Sequence, residues 1–261
     1  MDSSSWNKSE LINTPNKKET MFRDSLKYLL IVTSIYFTFT SSVQAQENNH
    51  KVHVIGEMRK VMWEGELEGV INLDTIGTKE NLYGLGPVEF LTGEVVIIDG
   101  TTYVSTVVSD STMKVEESYE IKAPFFAYDT IKEWKNHTLP DSIRTIKQLE
   151  VYLDVLTRQS LRPFLFKISG VVDTATIHIV NLPTGSKVSS PSEAHQGQVD
   201  YELVNEQMDI IGFFSTEHKA IFTHHDTYVH MHLITKDRKK MGHLDEVLFK
   251  AGSLTLYLPV E

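Results

Sequence analysis

Glu94-Val95-Val96-Ile97-Ile98-Asp99-Gly100-Thr101-Thr102-Tyr103-Val104-Ser105 reads as two β-prone runs joined by Asp-Gly. Both turn residues tolerate the left-handed backbone that a tight antiparallel hairpin needs, so the stretch predicts a hairpin. Further β candidates lie at 164–168, 176–180 and 209–214. Helical spacing is weaker. It covers 130–136 and 141–157, where Ile143, Ile146, Leu149, Tyr152, Leu153 and Leu156 recur and Asp141 is the expected N-cap. The expected fold class is α+β, mostly mixed or antiparallel sheet with a few helices.

Composition narrows the chemistry. The 261 residues include 25 Lys and Arg against 35 Asp and Glu, a formal net charge of -10. Such a surface repels phosphate backbones, and the longest basic run, Lys236 to Lys240, is broken by Asp237, so no nucleic-acid partner is expected. Cysteine is absent, which excludes disulfides, thiolate metal sites and a cysteine nucleophile. Any metal must be held by His, Asp and Glu.

Residues 1–45 read as a leader. Arg23 and Lys27 precede an apolar run from Tyr28 to Thr40, and small residues close it at Val43-Gln44-Ala45. This is the pattern of a secretory signal peptide cleaved after Ala45, with Met21 the expected initiator. The competing reading, an uncleaved anchor, requires a longer and less Ser/Thr-rich run. The expectation is an exported protein, periplasmic or secreted, free of the membrane after cleavage. The remaining chain, 46–261, is long enough to bury one substantial core. Its softest part, 182–198, carries Pro, Gly and Ser and reads either as a loop over a site or as a joint between subdomains.

Six of the eleven histidines fall between 218 and 243. In Tyr228-Val229-His230-Met231-His232-Leu233-Ile234, strand alternation sends His230 and His232 to one face and Val229, Met231 and Leu233 to the other. Two imidazoles side by side on a strand make half a site for Zn2+ or a similar ion. The turn through Lys236–Gly242 brings His243 back as a third candidate ligand, placing the metal site on a strand of the C-terminal half. Gly242 would let the backbone approach that site closely. The bland alternative is a strand with two exposed or hydrogen-bonded histidines. His224 and His225 are adjacent and point oppositely, so at most one could join. Upstream, Gly84-Leu85-Gly86-Pro87-Val88-Glu89-Phe90-Leu91-Thr92-Gly93-Glu94 places a carboxylate, Glu94, at a loop–strand junction. Trp63 and Trp134 read as core or rim, and the acidic clusters at 64–68 and 116–120 as solvated faces.

Taken together these segments resemble the α-acetolactate decarboxylases. That family's early motif, Gly-x-Gly-Thr-Phe-x-x-Leu-Asp-Gly-Glu, is matched by Gly84, Gly86, Gly93 and Glu94, with Asp99, Gly100 and Tyr103 following in register. Its Pro-Phe, Ile-x-Gly and Gly-Phe signatures are matched by Pro124-Phe125, Ile168-Ser169-Gly170 and Gly212-Phe213. Its late motif, His-x-His-Phe-x-x-x-Asp-Arg-x-x-Gly-Gly-His, is matched by His230, His232, Asp237, Arg238, Gly242 and His243. The resemblance spans roughly 84–247.

The resemblance implies a zinc enzyme that converts (S)-2-acetolactate, a small 2-hydroxy-3-keto acid, into acetoin and CO2. His230, His232 and His243 would hold Zn2+, the polarised ketone would take up the electrons left by CO2, and Glu94 would be the acid/base group. Residues 46–261 would form one acetolactate decarboxylase-like domain, and a homodimer is compatible with it. Where the family binds the substrate carboxylate with arginine, the count from Gly170 falls on His178. Arg158, Arg162 and Lys167 are other cations able to take the arginine's place. The family also returns a C-terminal tail with a second glutamate to its site, whereas Glu261 follows His243 by 18 residues, so the sequence implies a site without it. These departures define the alternative expectation, an exported paralogue that binds zinc and a small hydroxy-keto acid with impaired catalysis. A cupin-like barrel also uses His-x-His but requires a glutamate shortly afterwards, where Ile234-Thr235-Lys236-Asp237 has none.

Overall fold

The computed structural model describes residues 51–223 and 227–260. The leader expected at 1–45 and the pair His224 and His225 lie outside them. The chain forms two main antiparallel sheets packed face to face. The first orders β1 (His53–Ile55), β8 (Phe126–Thr130), β3 (Leu82–Pro87), β4 (Glu94–Ile98), β5 (Thr101–Ser109) and β6 (Thr112–Glu117). The hairpin read from sequence joins β4 to β5, with Asp99 and Gly100 at φ 49° and 76°. A two-stranded ribbon of β2 (Ile71–Asn72) and β7 (Lys122–Ala123) accompanies it.

The second sheet contains β9 (Trp134–Thr138), β10 (Phe164–Ile179), β11 (Val199–Val204), β12 (Gln207–Phe214), β13 (Val229–Thr235), β14 (Met241–Phe249) and β15 (Thr255–Pro259). The runs at 164–168 and 176–180 thus belong to one 16-residue strand. Its first half pairs with β12 and its second with β14, while β13 bridges β12 and β14, so these four strands close a ring of pairings.

Period-2 alternation gives each strand of this sheet two faces. Ile177, Ile179, Met231, Leu233 and Leu244 enter a core that includes Leu149 and Leu153 of helix α2 (Ile146–Leu156). Burying each of those two leucines is worth about 2 kcal/mol. The opposite face contributes Leu165, Ile211, Phe213, Ile234 and Met241, which meet Leu85, Val96 and Ala127 of the first sheet. The short helices α1 (Met58–Glu64) and α3 (Pro191–Ala194) pack with Leu91, Phe125, Val180, Leu182 and Val188 at one end of this interface. The soft stretch at 182–198 is therefore a loop folded over a pocket, not a joint between subdomains.

Two helix expectations are corrected. Residues 134–138 form β9, paired along β15, and Trp134 meets Tyr83 edge-on at 5.1 Å. Sheet pairing outweighs a short run of helix-compatible residues. Helix α2 begins after Thr145, whose side chain and that of Gln148 complete a capping box. Asp141 instead accepts a hydrogen bond from the Gly252 amide at 2.7 Å.

Candidate functional site

The face of β10, β14 and β13 turned to the first sheet carries four histidines. Register places His178 opposite His243, and His243 opposite His232, across three adjacent strands. His230 joins them two residues before His232. Ring centroids lie 4.6 Å apart for His178–His243, 5.2 Å for His230–His232, 5.0 Å for His230–His243 and 5.6 Å for His232–His243. Gly242 allows a close approach, but of strand to strand: a Cβ there would stand 2.4 Å from the His178 carbonyl oxygen.

Glu94 reaches this cluster from the start of β4 in the opposite sheet. It is 3% exposed, with Oε2 3.5 Å from His232 Nε2 and Oε1 3.9 Å from His178 Nε2. The Val180 amide donates to Oε1 at 3.4 Å. Burial pushes the carboxyl up to about 8, against the opposing pull of His178 and the Val180 amide. A carboxyl raised this far can carry, near neutral pH, the proton that a general acid needs.

Each histidine has a distinct setting. His230 Nδ1 lies 2.7 Å from the Phe222 carbonyl, so its hydrogen is on Nδ1 and Nε2 is its lone-pair nitrogen. His178 Nδ1 and His243 Nδ1 approach the two oxygens of Asp245 at 2.7 and 3.2 Å. Burial lowers the His178 pKa, but the bond and charge of Asp245 and the charge of Glu94 outweigh it and leave it raised. His232 is fully buried, and neither ring nitrogen makes a hydrogen bond of good geometry, its polar neighbours being the Val95 backbone and the Glu94 carboxyl. Burial and then the neighbouring histidines hold it well below the usual histidine range, so it is a neutral imidazole.

A buried neutral imidazole without a well-formed hydrogen bond, among three others and a carboxyl, fits a borderline metal ion such as zinc. His178, His243 and Asp245 also present donor atoms all within 4.8 Å of one another, a grouping able to hold a metal ion.

A pocket of about 60 Å3 opens onto the cluster. A single water needs about 10–15 Å3 on this scale, so the space is of a size for a small metabolite. Its floor is Glu94, His178, His230 and His243, and its roof includes Met58, Met62, Trp63 and Phe125. The sequence-derived residues Glu94, His178, His230, His232 and His243 thus converge. Of the other cations considered, Arg162 pairs with Asp154 at 2.8 Å, and Lys167 sits among Tyr83, Trp134 and Tyr257. Neither they nor Arg158 line the pocket. Within the late motif, Asp237 accepts from Thr235 at 2.7 Å and Arg238 bonds Asp209 at 3.0 Å, so this pair builds the β13–β14 turn.

Among the polar residues of the site, two escaped sequence reasoning. Asp245 has a readable signal, since it alternates with His243 on β14. His195 does not, lying just after α3 with its Nδ1 on the Pro191 carbonyl at 2.6 Å and its ring edge-on to His178 at 5.8 Å.

Two antiparallel sheets enclosing a histidine–glutamate cluster define a class of compact β-rich proteins with a small-molecule pocket, and similarity to known proteins narrows the class. The model of the alpha-acetolactate decarboxylase family matches residues 55–258. The alpha-acetolactate decarboxylase of Brevibacillus brevis is 27% identical over 197 residues, 74% of this chain and 65% of that protein. The chain thus spans slightly under two thirds of that relative's length. The acetolactate decarboxylase structure from Bacillus subtilis subspecies spizizenii shares the fold, with TM-score 0.67 and 19% identity over 80% of this chain and 86% of that one. A Staphylococcus aureus structure, described as a protein of unknown function similar to alpha-acetolactate decarboxylase, has TM-score 0.62 and 17% identity over the same shares. The chain belongs to the alpha-acetolactate decarboxylase family.

Proposed function

We propose that the protein is a carboxy-lyase that converts 2-acetolactate into acetoin and CO2, with Zn2+ held by His230, His232 and His243. The observation that carries this reading is Glu94, a buried carboxyl raised to about 8 that lines a small pocket with His178, His230 and His243 and stands 3.5 Å from the buried His232. Bound zinc would act as a Lewis acid, drawing off the electron pair that the breaking C–C bond leaves behind. The chain's own groups do the rest. Glu94 delivers its proton to the carbon that has lost CO2 and regains one from solvent, which balances acetolactate against acetoin. His178, where the family's arginine would stand, faces the substrate carboxylate. Met58, Met62, Trp63 and Phe125 roof the pocket and limit water at the reacting carbon. The same reading has residues 1–45 export the protein before it acts.

Zinc-loaded protein and its Glu94→Gln variant should be compared for acetoin and CO2 release from racemic acetolactate. The expected result is turnover in the parent and a loss of about 10²- to 10⁴-fold in the variant, with zinc content unchanged. Stoichiometric zinc without turnover in the parent would overturn the decarboxylase and favour the impaired hydroxy-keto-acid-binding paralogue. The replacement of arginine by His178 is the observation behind that second reading.

A further inference from the structure

One carboxylate serves two histidines of the cluster. Asp245 follows His243 by two residues on β14, and the β14–β10 register sets His178 beside that strand. Its Oδ2 accepts from His178 Nδ1 at 2.7 Å and its Oδ1 from His243 Nδ1 at 3.2 Å. Both bonds require the ring hydrogen on Nδ1, so that in the neutral ring Nε2 is the lone-pair nitrogen. The two rings stack at 4.6 Å with 29° between their planes, so they are held as a pair. His178 Nε2 then lies 3.9 Å from Glu94 Oε1.

Direct ligation by Asp245 fits the distances less well. Zinc with tetrahedral ligands at about 2.0–2.1 Å keeps its donor atoms about 3.4 Å apart. The 2.7 Å between Asp245 and His178 is instead the length of a charge-assisted hydrogen bond. Asp245 is also absent from the lining of the pocket and lines a second cleft with Ile146, Thr227 and Val229, with His243 shared between the two.

We propose that Asp245 is a positioning residue that couples the two halves of the site. It fixes His243 as a metal ligand and His178 as the substrate-facing imidazole through one shared carboxylate. The substrate half of this inference rests on the decarboxylase reading; the metal half does not depend on what the substrate is.

The test is Asp245→Asn, nearly isosteric and able to accept with only one side-chain oxygen. Zinc affinity is measured by chelator competition, histidine tautomers by 15N-correlated NMR, and KM at saturating zinc, alongside His178→Ala. Asp245→Asn should weaken zinc binding by about 10- to 100-fold, raise KM, and lose the Nδ1–H tautomer of at least one ring. His178→Ala should raise KM while keeping parental zinc affinity, and adding Asp245→Asn to it should raise KM no further. Asp245→Glu, which restores the carboxylate, should recover part of the affinity. Parental zinc affinity in Asp245→Asn, or weakened affinity with unchanged KM, overturns the coupling. Should the parent show no turnover, the decarboxylase reading fails, while affinity and tautomers still decide the role of Asp245. A folded Asp245→Asn with both Nδ1–H tautomers intact would overturn it.

Discussion

Two polar clusters are anchored on the same sheet and are treated in opposite ways. Toward the β13–β14 turn, Asp209 is met by Lys236 at 2.6 Å, Arg238 at 3.0 Å and the Ser169 hydroxyl at 2.6 Å. Burial pushes its carboxyl up, but the bonds from Lys236, Ser169 and Arg238 outweigh this and hold it below the usual range. At the other end, Glu94 has its histidine neighbours at 3.5 and 3.9 Å, beyond good hydrogen-bond length, and His232 makes no hydrogen bond of good geometry. The turn cluster is satisfied by its own side chains, as buried ions in a stable scaffold must be. The outer nitrogens of the histidine cluster are held by the chain, through Phe222 and Asp245, but the buried His232 at its centre is not, and a buried polar group left in that state is the physical mark of a site. One sequence motif spans both, with its histidines at the second and its Asp-Arg at the first.

The contrast is broken most strongly at Asp209. Asp209→Ala should cost about 2 kcal/mol of stability in chemical denaturation, discounted from a fully buried pair because Lys236 and Arg238 are partly exposed. Zinc affinity should stay at the parental value. Because the folded pKa of Asp209 is depressed, its contribution is present above its unfolded value of about 3.9 and is lost as pH falls below it. The stability gap between parent and variant should therefore shrink as pH drops from 5 toward 3. A gap that widened there would contradict the ion-pair account. A smaller effect is expected at α2, on the sheet face away from the site. Thr145→Ala removes one arm of the capping box and should cost about 1 kcal/mol, without altering zinc binding.

Local patterns carried much of this in the sequence. The Asp99-Gly100 turn, the alternation through His230 and His232, and Glu94 at the head of an apolar run each encode their structure within a few residues. What was illegible depends on partners distant in the chain. Residues 134–138 are a strand because β15 lies beside them, and 164–179 is one strand because it finds β12 on one half and β14 on the other. Asp141 matched an N-cap by type, but the reciprocal pair of Thr145 and Gln148 starts α2 four residues later. His195 enters the pocket through the fold of the 182–198 loop, which no periodicity announces. His178 was reached only by counting along a resemblance, and the register of β10 against β14 is what brings it beside His243.

The central claim is that the histidine face is a metal centre, and zinc stoichiometry of the parent against His232→Ala tests it most directly. After equilibration with zinc and removal of the excess, the parent should retain one equivalent and the variant none, both with the same circular dichroism. Stoichiometric zinc retained by folded His232→Ala would contradict it.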